Sequence, residues 1–300
     1  MNFLGKYLLS GRLQAIGVIS LMTVLSLLLP PFSYIISGAP VSLLALRKGS
    51  VISAQVLFGA LLLTSLFGHF TNAGAALGAA YAAGVWFPVW LVSIILRLTE
   101  SQTMLLLGVA AIGVLMVIGS FVYNAELTLL WQSWRDQFLE QGFSASDSAQ
   151  IGQMFDTTLP LLNGILAAGL VLSLACTVLV ARWWQSRMFN PGGFRSEFQQ
   201  LSLPRWLTLV TFGFLVLSLL DTGGFQWQIR SVLIVLIVIQ IFQGIASVHR
   251  IVERRGLSLS WLIAMYAFLL VLPQMALFLA CIGMVDGWNR HRKSPPADQA

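Results

Sequence analysis

The chain has 300 residues, of which 57% are hydrophobic and 9% charged, and its mean hydropathy is +0.84. A soluble globule carries charge on about a quarter of its residues, so this composition excludes one and predicts an all-α polytopic transmembrane helical bundle. The net charge of +6 does not point to nucleic acid, because the basic residues stand at the ends of apolar runs rather than clustered among aromatics.

Residues 1–9 place Phe3, Leu4, Tyr7 and Leu8 around Lys6, as in a short helix lying in the membrane interface. Lys6 and Arg12 precede the first apolar run, 13–29, which is longer than the roughly 7 to 15 residues of a signal-peptide core, so it is expected to stay as a span. Pro30 and Pro31 stop it. Further spans are expected at 32–46, 51–67, 73–96 and 104–123. The fourth opens with Gly74 and Gly78 at GxxxG spacing and a neighbouring stripe of Ala75, Ala79 and Ala83, which lets another helix backbone approach, and Pro88 is expected to kink it.

Residues 124–157 form the one substantial polar segment. Leu127, Leu130, Trp131, Trp134 and Phe138 fall at helical spacing opposite Glu126, Arg135, Asp136 and Glu140, which predicts an amphipathic surface helix. Gly142 is expected to end it, with a second short helix running to Phe155 behind Ser144 or Ser146. This segment is either a lid over a site or a connector resting on headgroups. A sixth span, 159–180, begins with Pro160 in its first turn. A basic, aromatic loop follows at 182–205 with a turn signal at Asn190-Pro191-Gly192-Gly193. Spans at 206–220 and 231–248 come next.

The last apolar run, 257–285, holds Pro273. As one straight helix it would be about 43 Å long against a hydrocarbon core of about 30 Å. It is therefore either one overlong tilted helix or a hairpin hinged at the proline. If each span crosses once, Lys6, Arg12, Arg47, Lys48, Arg97, Arg182, Arg187, Arg195, Arg205, Arg250, Arg254 and Arg255 share one face, which the positive-inside rule makes cytoplasmic. Arg290, Arg292 and Lys293 join that face only through a hairpin. The expectation is a single transmembrane domain over 1–293 with about eight to ten spans. Segment 124–157 is then extracytoplasmic, segment 182–205 cytoplasmic, 294–300 a disordered tail, and both termini lie inside a bacterial inner membrane.

The segment from Ala39-Pro40 to Arg47-Lys48-Gly49, the loop Asn190-Pro191-Gly192-Gly193-Phe194-Arg195 and the closing Gly283-x-x-Asp286-x-Trp288-x-x-x-Arg292 resemble the YybS-like family of bacterial integral membrane proteins of unknown function. That family is in turn similar to the substrate-binding S components of energy-coupling-factor transporters. The resemblance implies an outward-opening ligand pocket and a membrane coupling subunit as partner. No G-x-x-x-x-G-K-[ST] occurs, so an ATPase would be another chain.

Candidate ligand residues are His69, Asn72, Asn163, Asp221, Trp227 and Arg230, because polar groups at membrane depth mark sites or pathways. Asp221 and Arg230 either face a ligand or pair with each other to close a turn. Asn163, Gln240 and Gln243 either line the interior or hydrogen-bond between helices. Arg187, Phe194, Arg195 and Asp286 are candidate partner contacts, and Asp286 is also placed to receive Arg290 one turn on. His69, His249 and His291 fall in separate loops, the two cysteines lie in apolar runs, and no hydrolase or metalloprotease motif occurs. No catalytic residue, metal or cofactor is implied. Two functions remain in view: binding or transport of a small solute without an ATPase of its own, and a membrane scaffold or assembly factor acting through 182–205 and the basic tail.

Overall fold

A computed structural model describes residues 2–71, 73–140 and 145–290. The described residues form helices and no strands: α1 (Asn2–Ser10), α2 (Arg12–Ser26), α3 (Ser33–Lys48), α4 (Ser50–His69), α5 (Leu77–Tyr81), a π-helical turn Ala82–Trp86, α6 (Phe87–Thr99), α7 (Gln102–Val122), α8 (Asn124–Leu139), α9 (Ala145–Phe189), α10 (Gly193–Gln200), α11 (Arg205–Leu219), α12 (Gln226–Arg254), α13 (Ser260–Val271) and α14 (Gln274–Arg290). The chain is an all-α polytopic membrane bundle. Among the described residues five helical stretches are long and apolar enough to cross a membrane, Ser50–His69, Leu77–Thr99, Gln102–Val122, Asp147–Phe189 and Gly223–Arg254, and the bent pair α10 with α11 makes a sixth if taken as one span. Two shorter apolar helices, α2 and α13, fall below that length, and α3, at the expected span 32–46, is in neither group.

The chain packs as two compact units, residues 1–109 with 172–201 and residues 110–171 with 202–300. In the first, hydroxyls and indoles stitch the helices together. Thr23 and Ser37 share a hydrogen bond of 2.9 Å, and Trp86 donates its Nε1–H to the same Ser37 oxygen at 2.8 Å. Ser93 donates to Ser42, Trp90 to Ser53, and Ser26 meets the Tyr81 hydroxyl. With no apolar driving force between helices inside lipid, such bonds and close packing hold a bundle together. Gly49, at φ +85°, makes the turn from α3 to α4 that a side chain would strain.

Several local expectations change. Gly74 is not helical: it sits in a turn at φ +82°, so the GxxxG pair does not share a helix face. Gly78 alone makes a close approach, and a Cβ there would strike the Leu61 carbonyl of α4. Pro88 lies just after the π-helical turn, and the Gly84 carbonyl, four residues before it, accepts a hydrogen bond of 2.5 Å from the Tyr34 hydroxyl. Pro160 does not begin a helix. It lies inside α9, which runs from the polar segment through the expected span to Phe189. The segment 182–205 is ordered rather than a loop: it contains the end of α9, a turn and α10. Its Arg182 forks onto Glu197 and also donates to Gln185. His249 is inside α12.

In the second unit α14 packs along α12. A Cβ on Gly244 would collide with the Leu279 backbone, and one on Gly283 with the Gln240 carbonyl, so two backbones meet where glycines remove the side chains. The run 257–285 is two helices broken at Pro273. His249 meets the Tyr266 hydroxyl at 3.0 Å, while the next residue, Arg250, is ion-paired with Asp286. A straight helix would hold Tyr266 and Asp286 about 30 Å apart. Both reach adjacent residues of α12 only because α14 folds back at the proline.

Candidate functional site

The largest concentration of predicted site residues is in the second unit, where α8 and the start of α9 form an antiparallel pair. Phe138 packs on Phe155 with ring centroids 5.8 Å apart, and Arg135 bridges Asp136 and Asp156. Those two hydrogen bonds raise the Arg135 guanidinium further above its ordinary value, so it stays charged at any accessible pH. One turn before Arg135 in α8, Trp131 donates its Nε1–H to the Asn163 side-chain oxygen at 3.0 Å. The polar segment is thereby tied to the apolar part of α9.

A cavity of about 420 Å³ opens beside this bond, lined by Phe121, Thr128, Trp131, Gln132, Asp156, Leu159, Pro160, Asn163, Gly224, Trp227, Gln228 and Ser231. Its chemistry is two indoles, two hydroxyls and three side-chain amides around a single carboxylate, and that carboxylate already holds Arg135. Asn163 spends its oxygen on Trp131, which leaves its NH₂ as a donor. Gln228, oriented so that its NH₂ donates to the Phe225 and Gly224 carbonyls at 3.0 and 2.9 Å, leaves its oxygen as an acceptor. The cavity wall thus offers a donor and an acceptor, with aromatic faces at hand.

Of the predicted ligand residues, the structure brings Asn163 and Trp227 together on this wall. Arg230 is one turn away: its guanidinium lies 5.1 Å from the Trp227 ring centre and donates to the oriented Gln226 amide oxygen at 2.8 and 3.1 Å. Asp221 does not pair with Arg230. It accepts the Gly223 backbone N–H at 3.1 Å, closing its own exposed turn as aspartates at turn starts do. His69 is exposed at the end of α4, edge-on to Phe70, in the other unit. Asn72 lies outside the described residues, as do His291, Arg292 and Lys293. Trp131 and Gln228 were not singled out as ligand residues. Trp131 showed only its amphipathic phase, and Gln228 had no signal beyond its closeness to Trp227.

The interior amides bond between elements. Gln240 donates to Thr211 of α11 at 3.3 Å, and Gln243 accepts the Leu203 backbone N–H at 3.0 Å while donating to Asp286. Asp286, expected to meet Arg290 or a partner, holds Arg250 and Gln243 from α12. Arg250 is 6% exposed and also donates to Ser247 at 2.8 Å. Arg187 lies over Trp183, 5.3 Å from its centre, and Phe194 stacks on Phe198. Arg195 is exposed at the start of α10. Among the described residues no group of three or more His, Cys, Asp or Glu gathers at metal-binding distance.

A sequence family described as predicted membrane protein (DUF2232) matches residues 16–287. No curated protein and no solved structure matches the chain.

Proposed function

From membership of the DUF2232 family of predicted membrane proteins, to which this chain belongs, we propose that it binds a small solute from the outer side of a bacterial inner membrane, for uptake powered by other chains. The observation that carries the reading is the cavity between α8, α9 and the start of α12, with Asn163 and Trp227 on one wall. Its volume of about 420 Å³ falls within the roughly 300–1,000 Å³ of small-molecule sites. The resemblance to S components of energy-coupling-factor transporters supports the same reading and leaves energy to a membrane coupling subunit.

The lining selects the solute. Its only carboxylate is already paired, so neither strong acids nor strong bases have a free counter-charge. The Asn163 NH₂ and the Gln228 oxygen suit a planar solute that presents an acceptor and a donor, as amides and lactam-bearing heterocycles do, and the Trp131 and Trp227 indoles suit its faces. The α8 segment is the lid: the Trp131–Asn163 bond is the contact that ties it down.

The test is thermal stabilisation of the purified protein across a panel of vitamins and metabolites containing neutral and charged members. A neutral heterocycle should raise the unfolding temperature, and Asn163→Leu and Trp227→Ala should each remove that rise while leaving the unliganded protein folded. A panel with no stabilising member, or one whose effect survives both substitutions, would sink the proposal and leave the scaffold function, acting through 182–205, as the one to pursue.

A further inference from the structure

The first unit holds a second concavity of different chemistry. It has a volume of about 660 Å³ and is lined by Leu46, Arg47, Leu96, Arg97, Glu100, Arg182, Gln185 and Glu197. Leu46 and Leu96 are buried and form an apolar floor at the ends of α3 and α6. Around it stand three arginines and two glutamates. The charge of Arg182 is matched by Glu197, which it grips through two nitrogens, while its third nitrogen holds Gln185. That leaves Arg47 and Arg97 facing the single carboxylate of Glu100, so the recess carries one positive charge in excess.

The donors left over define what fits. Arg97 spends one Nη–H on the Leu46 carbonyl at 2.7 Å, capping α3, and keeps its other nitrogens. The Arg47 guanidinium carbon lies over the Phe189 ring, 3.8 Å from its centre, a contact that does not consume its N–H groups. Gln185 is 7% exposed and gives its oxygen to Arg182. Gln185 lines the recess, and with its oxygen held by Arg182 its NH₂ is left as a donor. Arginines that only orient a span need neither an apolar floor nor a buried amide beside them. Two guanidinium forks and an amide donor around one surplus charge match the oxygens of a phosphate group.

We infer that the recess between the ends of α3, α6 and α9 binds a phosphate-bearing anion through Arg47, Arg97 and Gln185. The apolar floor accepts whatever carries the phosphate, and membrane lipid headgroups and soluble phosphate compounds share that chemistry. The inference stands apart from the solute cavity, which belongs to the other unit and shares no residue with it.

The experiment titrates the detergent-purified full chain, followed by thermal stabilisation, with inorganic phosphate against sodium chloride at matched ionic strength. A second arm uses short-chain phosphatidylglycerol against short-chain phosphatidylcholine. Saturable stabilisation by inorganic phosphate is expected for a soluble ligand, and stabilisation by phosphatidylglycerol but neither by phosphate nor by phosphatidylcholine for a lipid. In either case Arg47→Gln should weaken the apparent affinity at least about tenfold. Arg254→Gln, which removes an exposed charge at the end of α12, should leave it unchanged. Gln185→Leu supplies a second, charge-neutral variant and should also weaken binding. Absence of stabilisation in both arms overturns the inference, and so does an equal loss in Arg47→Gln and Arg254→Gln, which would show attraction to net charge alone.

Discussion

Pro88 in the first unit and Pro273 in the second both interrupt an apolar run, and the two interruptions end differently. Before Pro88 the helix widens into a π turn and then continues as α6, with the Tyr34 hydroxyl supplying a donor to the Gly84 carbonyl. At Pro273 the chain breaks and folds back, so that α14 returns along α12. A proline removes one N–H and crowds one carbonyl in either place. The difference lies in what waits nearby. Tyr34 satisfies the carbonyl at the first site and the helix carries on; at the second, Arg250 and Gln243 offer the returning helix a partner for Asp286 and glycines offer it a surface.

The largest effect should come from removing that partner. Arg250→Ala leaves the Asp286 carboxylate largely buried without its cation, and breaking a buried pair from one side costs about 3–5 kcal/mol. Thermal unfolding in detergent should show a correspondingly large drop. The double variant Arg250→Ala with Asp286→Ala should recover part of it, because no uncompensated charge then remains. Equal losses in the single and double variants would mean that the pair does not hold the fold-back.

Next in size is the surface. Gly244→Leu sets a side chain against the Leu279 backbone, which cannot rotate away, and overpacking of this kind costs about 1–3 kcal/mol or more. The expected sign is release of α14 from α12, read as new protease cleavage near Pro273. Gly213→Leu, where a Cβ would meet open space on α11, is the control and should leave the digestion pattern unaltered.

The fold-back illustrates how much of this molecule is legible in the amino-acid sequence. Its break was readable, because length and Pro273 together forbid one straight crossing, and the tally of arginines favoured the hairpin. Its lock was not: Asp286 pairs with Arg250, from a helix far away in sequence, and the side chain of Arg290, one turn on, lies outside the described residues. The same holds at the cavity. Asn163 and Trp227 stand out as polar or amphipathic groups in apolar surroundings, whereas Gln228 matters only because the turn at Gly224 and Phe225 takes its NH₂ and leaves its oxygen. Gly74 misled for a related reason: GxxxG spacing implies a shared face only if both glycines are helical, and a positive φ at Gly74 ends that.

In the first unit the hydroxyl network predicts a moderate effect. Ser37 accepts the Trp86 indole N–H and shares a bond with Thr23, all three buried. Ser37→Ala leaves the indole N–H without its acceptor, at about 1–3 kcal/mol, while Thr23 retains its bond to the Ile19 carbonyl. The unfolding temperature should fall by less than in Arg250→Ala, and Trp fluorescence should report the altered indole.

The smallest expected effect is the most informative about the comparison. Tyr34→Phe removes the donor from the Gly84 carbonyl while keeping the ring, and a single hydrogen bond contributes about 1 kcal/mol. If Tyr34 compensates for the N–H that Pro88 lacks, Pro88→Ala restores a backbone donor and makes the hydroxyl partly redundant. The loss caused by Tyr34→Phe should then shrink in the Pro88→Ala background, a coupling measured by a double-mutant cycle on thermal unfolding. Strict additivity would show that the π turn satisfies its own carbonyls and that Tyr34 merely rests there. Pro88 and Pro273 would then differ only in what lies downstream of them, with α14 finding Arg250 and α6 continuing because nothing turns it back.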